Sequence, residues 1–152
     1  MRMPVGSCQI TVRRPNIFKD AYAEITRLTL DDLKKKLIIK FEGENDRENS
    51  STVLEFDREF FYLLFHELFN PSYNLPEHSV HDKYTLQINP ASGAISEHLN
   101  YFKFLGRYLG LGIFHCYLFD AHFTVGFYKM ILKKPALFDL PENVYDDLIW
   151  ML

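Results

Sequence analysis

The sequence predicts a mainly α-helical fold with a few short β-strands, of the α+β class. Three observations point there. Apolar residues recur at helical spacing in several windows of ten or more residues, while strict alternation is confined to segments of about five. Of the 152 residues, 47% are hydrophobic and 16% aromatic, with 14 Phe and 9 Tyr, so a core large enough for one domain is available. No repeat and no low-complexity tract interrupts the pattern.

Ile10-Thr11-Val12-Arg13-Arg14 alternates as a short strand does, and Asn16 then stands where a helix N-cap belongs. Ile17, Phe18, Ala21, Tyr22, Ile25 and Leu28 follow at helical spacing. Thr29-Leu30-Asp31-Asp32 has the form of a capping box opening a second, short helix to about Lys36. Residues 37–41 read as a strand closed by Gly43, and residues 45–56 as a polar loop. Asp57 is then expected to cap an apolar helix, REFFYLLFHELF, which Asn70-Pro71 ends. Residues 71–82 form a loop; Lys83 to Ile88 alternates as a strand with Tyr84, Leu86 and Ile88 on one face.

Asn89 to Gly93 is turn chemistry, after which Ser96 caps a helix through Leu99, Phe102, Leu105 and Leu109. Gly106 and Gly110 share one face of it, which would let another backbone approach closely. A further helix spans Phe123 to Leu132 and stops before Pro135, and a last one opens near Glu142. That helix runs onto Ile149-Trp150-Met151-Leu152 without a polar cap, so the sequence reads as interrupted there.

Composition narrows function by exclusion. A net charge of −3 disfavours nucleic acid as the partner. The most apolar stretch, Phe104 to Phe119, holds Arg107 and His115 and is too short to span a bilayer, so no membrane contact is expected. Cys8 and Cys116 lie far apart, as reduced thiols of a cytoplasmic protein would, and Cys116 reads as a small core residue. His78 with His81, and His115 with His122, lack a third convergent ligand, so neither a metal nor any other cofactor is expected. Glu55, Asp57 and Glu59 suit a helix N-terminus rather than acid–base catalysis. No residue qualifies as catalytic on chemistry alone.

Four stretches carry a resemblance: RRPNIFKDAYAEITRLTLDDLKKKLIIKFEGE, DREFFYLLFHELFNPSYNL, YTLQINPASGAISEHLNYFKFLGRYLGLGIFH, and FYKMIL with the terminal LIWML. In this order they resemble the N-lobe of HECT-type ubiquitin-protein ligases, in particular the fungal-like, WW-domain-bearing subfamily. The spacing of TLQINP and HLNYFKFLGR is the most specific part. The resemblance implies that residues 1–152 are a partial HECT domain, the large-subdomain portion of the N-lobe. The conjugating-enzyme-docking subdomain and the catalytic C-lobe would lie elsewhere. A parent of this kind accepts ubiquitin as a cysteine thioester and passes it to substrate lysines. Neither Cys8 nor Cys116 matches the family's nucleophile, so the segment is expected to be inactive alone.

The same resemblance implies a weak, non-covalent ubiquitin surface at Asn70, Tyr73, Leu75 and His78, besides contacts with the remaining HECT lobes. Pro76 stands where the family has Phe, and His78 where it has Tyr. A structural role for Asn70 and Tyr73, ending the helix and packing the loop, is the plain alternative. Between Glu44 and Arg58 the family carries a Gly-Leu-Asp-Tyr-Gly-Gly segment, whereas this chain has the glycine-free NDRENSSTVLEFD. That is either an insertion or an error in the gene's reading, and it puts the packing of strand 37–41 on the following helix in question. A non-catalytic interaction module and a non-functional truncated product are the alternative readings of the whole.

Overall fold

The computed structural model describes residues 6–44, 50–80, 82–119 and 121–133, with the backbone alone at residues 50–54. The helix expected from Glu142, the stop at Pro135 and residues 45–49 of the expected polar loop lie outside these residues. The chain divides into two compact units.

The first unit comprises residues up to Asn70 together with Leu99–Phe119. Strand β1 (Ser7–Val12) pairs in parallel with β2 (Lys36–Phe41), Ser7 opposite Lys36 and Val12 opposite Phe41. Their alternation buries Cys8, Ile10 and Val12 on one strand and Leu37, Ile39 and Phe41 on the other. A parallel pair needs a crossover, supplied here by helix α1 (Ile17–Arg27) and the single turn α2 (Leu30–Leu33). Asn16 occupies the N-cap position of α1, yet its side chain makes no capping hydrogen bond. Arg13 and Asp20 brace that end instead, the guanidinium donating to the carboxylate at 2.8 and 2.9 Å. The capping box at Thr29 is present in full, with Asp32 N donating to Thr29 Oγ1 at 3.1 Å.

Helix α3 (Ser50–Leu68) starts seven residues before the expected cap at Asp57. Asp57, Phe60, Phe61, Leu64 and Leu68 form its buried stripe, at the i, i+3, i+4, i+7, i+11 spacing of a single face. It packs on β2, where Phe41 meets Phe56 edge-on with centroids 5.6 Å apart. The unusual segment before α3 therefore leaves strand–helix packing intact. Arg14 reinforces it, pairing with both Glu44 and Glu59 while its guanidinium lies 4.1 Å above the Phe41 ring.

Helix α4 (His98–Phe114) completes this core with Phe104, Leu105, Tyr108 and Leu111. The Tyr108 hydroxyl donates to the Phe61 carbonyl at 2.6 Å, so the one polar group of a fully buried ring is satisfied. Phe18 and Tyr22 on α1 interlock with Tyr101 and Phe104 on α4, with centroids 5.3–5.8 Å apart. Arg107 donates to the carbonyls of Ile25, Thr26 and Leu28, groups that the end of α1 leaves unpaired.

The second unit takes Pro71–His98 and the residues from 120 onward. Strands β3 (Pro76–His78) and β4 (Leu86–Ile88) pair antiparallel, and Phe123 adds a bridge to Leu86. The strand expected over 83–88 is cut to three residues because Asp82 Oδ1 captures the amides of Tyr84 and Thr85, both at 2.9 Å. Tyr84 does not share the inner face; it is 82% exposed. Asn89 opens a 3₁₀ turn over Pro90–Ala94 by accepting from Ala91 N at 2.8 Å. Helix α5 (Val125–Ile131) begins two residues later than Phe123, whose ring stacks on Phe127 at 4.2 Å.

Candidate functional site

The loop after α3 carries the four residues marked for a partner surface. The helix ends at Leu68, and Asn70 N still donates to Glu67 O at 3.1 Å, so Asn70 closes the first unit. The other three belong to the second. Pro71–Tyr73 forms a 3₁₀ turn, and Asn74 adopts φ +50°, a left-handed conformation that Asn tolerates. This kink sends Leu75 inward: it is 0% exposed, and its carbonyl accepts from Asn89 N at 3.0 Å. Tyr73 is half-buried, and His78, at the end of β3, is exposed. In this conformation Leu75 anchors the loop from inside. Beyond His78 the turn from β3 to β4 displays Val80, 80% exposed, and Tyr84.

Elsewhere the chemistry is structural. Cys8 is buried in β1, and burial pushes its thiol up, with the Asp32 carboxylate adding to the effect. Cys116 is exposed rather than part of the core, because it takes φ +61° just past α4 and turns out of the apolar run. Neither sulfur makes a hydrogen bond among the described residues. His115 Nε2 lies 3.0 Å from the Leu33 carbonyl and so ties α4 to α2. Among the described residues no group of three His, Cys, Asp or Glu side chains could hold a metal, and no helix is long and apolar enough to cross a membrane. His81, one member of the first histidine pair, lies outside those residues.

Sequence reasoning took Asp57 for a helix cap, whereas it lies inside α3. It is buried against Tyr117, whose hydroxyl donates to Oδ2 at 2.9 Å, while Oδ1 makes no hydrogen bond within 3.5 Å among the described residues. Burial raises its pKa above the usual carboxylate range, more than the Tyr117 hydroxyl, the nearby Ile39 amide and the His115 and Lys36 charges lower it. The pair is separated by 60 residues, so no local signal marks it.

Comparison with known proteins places this frame. A family description, HECT-domain (ubiquitin-transferase), matches residues 62–152. The chain is 54% identical over 156 residues to the E3 ubiquitin-protein ligase RSP5 of Chaetomium thermophilum, and 52% identical over 156 residues to RSP5 of Saccharomyces cerevisiae. Both alignments cover 100% of this chain, but only 18% and 19% of the relatives. The probable E3 ubiquitin-protein ligase hulA of Aspergillus terreus is 53% identical over 148 residues, 97% of this chain and 18% of its own. The chain thus spans about a fifth of the length of the curated relatives it matches. The resemblance first carried by TLQINP and HLNYFKFLGR holds along the chain, which belongs to the HECT-domain (ubiquitin-transferase) family.

Proposed function

We propose that this chain is the large-subdomain part of a HECT N-lobe and acts as a non-catalytic platform within a ubiquitin-protein transferase. The observation that carries this reading is identity above 50% along the chain to relatives named as E3 ubiquitin-protein ligases. The parent reaction would accept ubiquitin as a cysteine thioester and pass it to a substrate lysine, with the remaining HECT lobes supplying the nucleophile. The chemistry of the two thiols supports a platform role. Cys8 is buried in β1, where burial disfavours its thiolate, and Cys116 has no base hydrogen-bonded to it among the described residues.

The test mixes the chain with ubiquitin, ATP, activating enzyme and a panel of conjugating enzymes, then looks for a thiol-sensitive adduct on non-reducing gels. No adduct is expected. An adduct that disappears in Cys116→Ser would overturn the reading.

A second role within the same assembly has its own support, the accessible Tyr73 and His78 beside exposed Val80 and Tyr84. We propose that this apolar and aromatic surface of the second unit holds ubiquitin weakly and without covalent bonding, Leu75 anchoring the loop from beneath. Asn70 lies in the first unit and is not assigned a contact. An amphipathic Tyr suits such a surface, burying its ring while its hydroxyl stays hydrated. Titrating isotope-labelled chain with ubiquitin should shift the amides of Tyr73, His78 and Tyr84 saturably, and Tyr73→Ala should abolish the shifts. A titration in which these peaks stay fixed sinks the ubiquitin surface while leaving the platform standing.

A further inference from the structure

Residues 115–119 leave the end of α4 and cross back over α3 as a strap. The turn that starts it is a Schellman motif: Tyr117 N donates to Gly112 O at 2.8 Å and Cys116 N to Ile113 O at 3.2 Å. Cys116 takes φ +61° at the position where such turns favour glycine. A side chain in that conformation is strained, so contacts further along must hold the turn closed.

Those contacts come from every second residue. Cys116 and Leu118 are exposed, Leu118 by 98%, so the strap is a single layer. Tyr117 and Phe119 point the other way. The Tyr117 ring stacks on Phe61 of α3 with centroids 4.3 Å apart, and Phe119 packs on Tyr108 at 5.1 Å, in the space a Cβ at Gly112 would need. Beneath Tyr117 lies Asp57, 5% exposed, which accepts from its hydroxyl at 2.9 Å. The strap is also the last stretch of the first unit before the chain enters the second.

The carboxyl at the centre of this arrangement is poorly placed to carry charge. Lys36 faces it from β2, and His115 and Tyr117 from the root and middle of the strap, while Arg58 beside it on α3 acts on the Tyr117 hydroxyl. Lys36 is exposed and His115 is tied to the Leu33 carbonyl, and Asp57 makes no ion pair among the described residues. Burial therefore outweighs them and favours the protonated form. Ionisation needs water at the carboxyl. The other sides are α3 itself and β2, both built into the core, so lifting the strap is the smallest movement that admits it.

We propose that residues 115–119 are a proton-dependent strap, closed over Asp57 while its carboxyl is protonated and lifted, with Tyr117 out of its seat, once the carboxyl has ionised.

The closed strap holds a proton that the lifted one has released to solvent. Lifting must then increase as pH rises from the ordinary carboxylate range through the raised value, and level off above it. The test is amide exchange of the 152-residue chain by NMR, with each rate divided by its intrinsic rate at that pH. The Cys116 and Tyr117 amides close the turn, and their opening should rise at least threefold across that range, while the Leu64 and Tyr108 amides of the core do not follow. Asp57→Asn keeps the acceptor without the titration and should make the profile flat. Tyr117→Phe removes the hydroxyl and should raise opening at every pH. Circular dichroism checks that each variant is folded, and the wild-type profile together with Tyr117→Phe decides the matter if Asp57→Asn does not fold. A flat wild-type profile, or one just as steep in Asp57→Asn, overturns the proposal. So does a rise that Leu64 and Tyr108 share equally, which would place the pH dependence in global unfolding.

Discussion

Single side chains decide more here than their local sequence suggests. Gly106, Gly110 and Gly112 look alike in the sequence and behave oppositely in the structure. Gly106→Ala and Gly110→Ala meet no neighbour and should each raise stability by about 0.5–1 kcal/mol, read as a higher urea midpoint. Gly112→Ala collides with Phe119, which itself packs on Tyr108 at 5.1 Å, and should cost about 1–3 kcal/mol. Asp57 makes a prediction in pH. Its folded pKa is raised, so the native state holds a proton that the unfolded chain has released. Stability must then fall as pH rises from the ordinary carboxylate range through the raised value, and stay lower above it. Asp57→Asn keeps the Tyr117 partner and removes that fall. The difference between wild-type and variant urea midpoints should grow as pH rises above the ordinary carboxylate range and then level off; a constant difference would refute the assignment. None of this was legible beforehand, because helix-cap logic reads only the neighbours of Asp57, whereas Tyr117 arrives from beyond α4.

At the scale of elements, those fixed by local chemistry were legible and those fixed by distant partners were not. Residues 10–12 and 37–41 lie in β1 and β2, and the α1 periodicity is the one its apolar residues predict. The Thr29 capping box stands as expected because both halves lie within four residues. Thr29→Ala should cost about 1 kcal/mol in urea unfolding, since it removes the acceptor for Asp32 N. The Lys35 ammonium and the Thr29 groups hold Asp32 down to about 2, so the box stays intact across the physiological range. Where the expectation failed, a competing interaction is visible. Residues 83–85 alternate as a strand should, yet one carboxylate, Asp82, takes two of their amides. Residues 50–56 look polar at first, yet Phe56 and Asp57 continue the helical stripe into Phe60 and Phe61 and draw α3 back to Ser50. At the candidate loop, the half-burial of Tyr73 and the exposure of His78 accord with local polarity, while the left-handed Asn74 turns Leu75 inside, which no periodicity announces.

In the whole molecule, the two units differ in how their backbones are secured. The first pairs six-residue strands under helices, with Ile10 of β1 and Ile25, Phe60, Leu64 and Tyr108 of the helices fully buried, whereas the second pairs strands of three residues. Amide exchange should follow that difference. The amides of Ile10, Ile39, Leu64 and Tyr108 should exchange slowest, and those of His78, Gln87 and Ile88 faster by at least tenfold in mass spectrometry or NMR. Uniform exchange rates would show that burial does not set the order.

The first unit is also discontinuous in sequence, since residues 71–98 belong to the other unit and α4 returns only afterwards. This fixes an order of events on the ribosome. α1 and α3 emerge from the exit tunnel before α4, the helix that covers Phe18 and Phe61. Their aromatic faces stay uncovered until Phe104 and Tyr108 emerge. A translational pause within that window would prolong the exposure and make the nascent chain a client for chaperones that hold apolar surface.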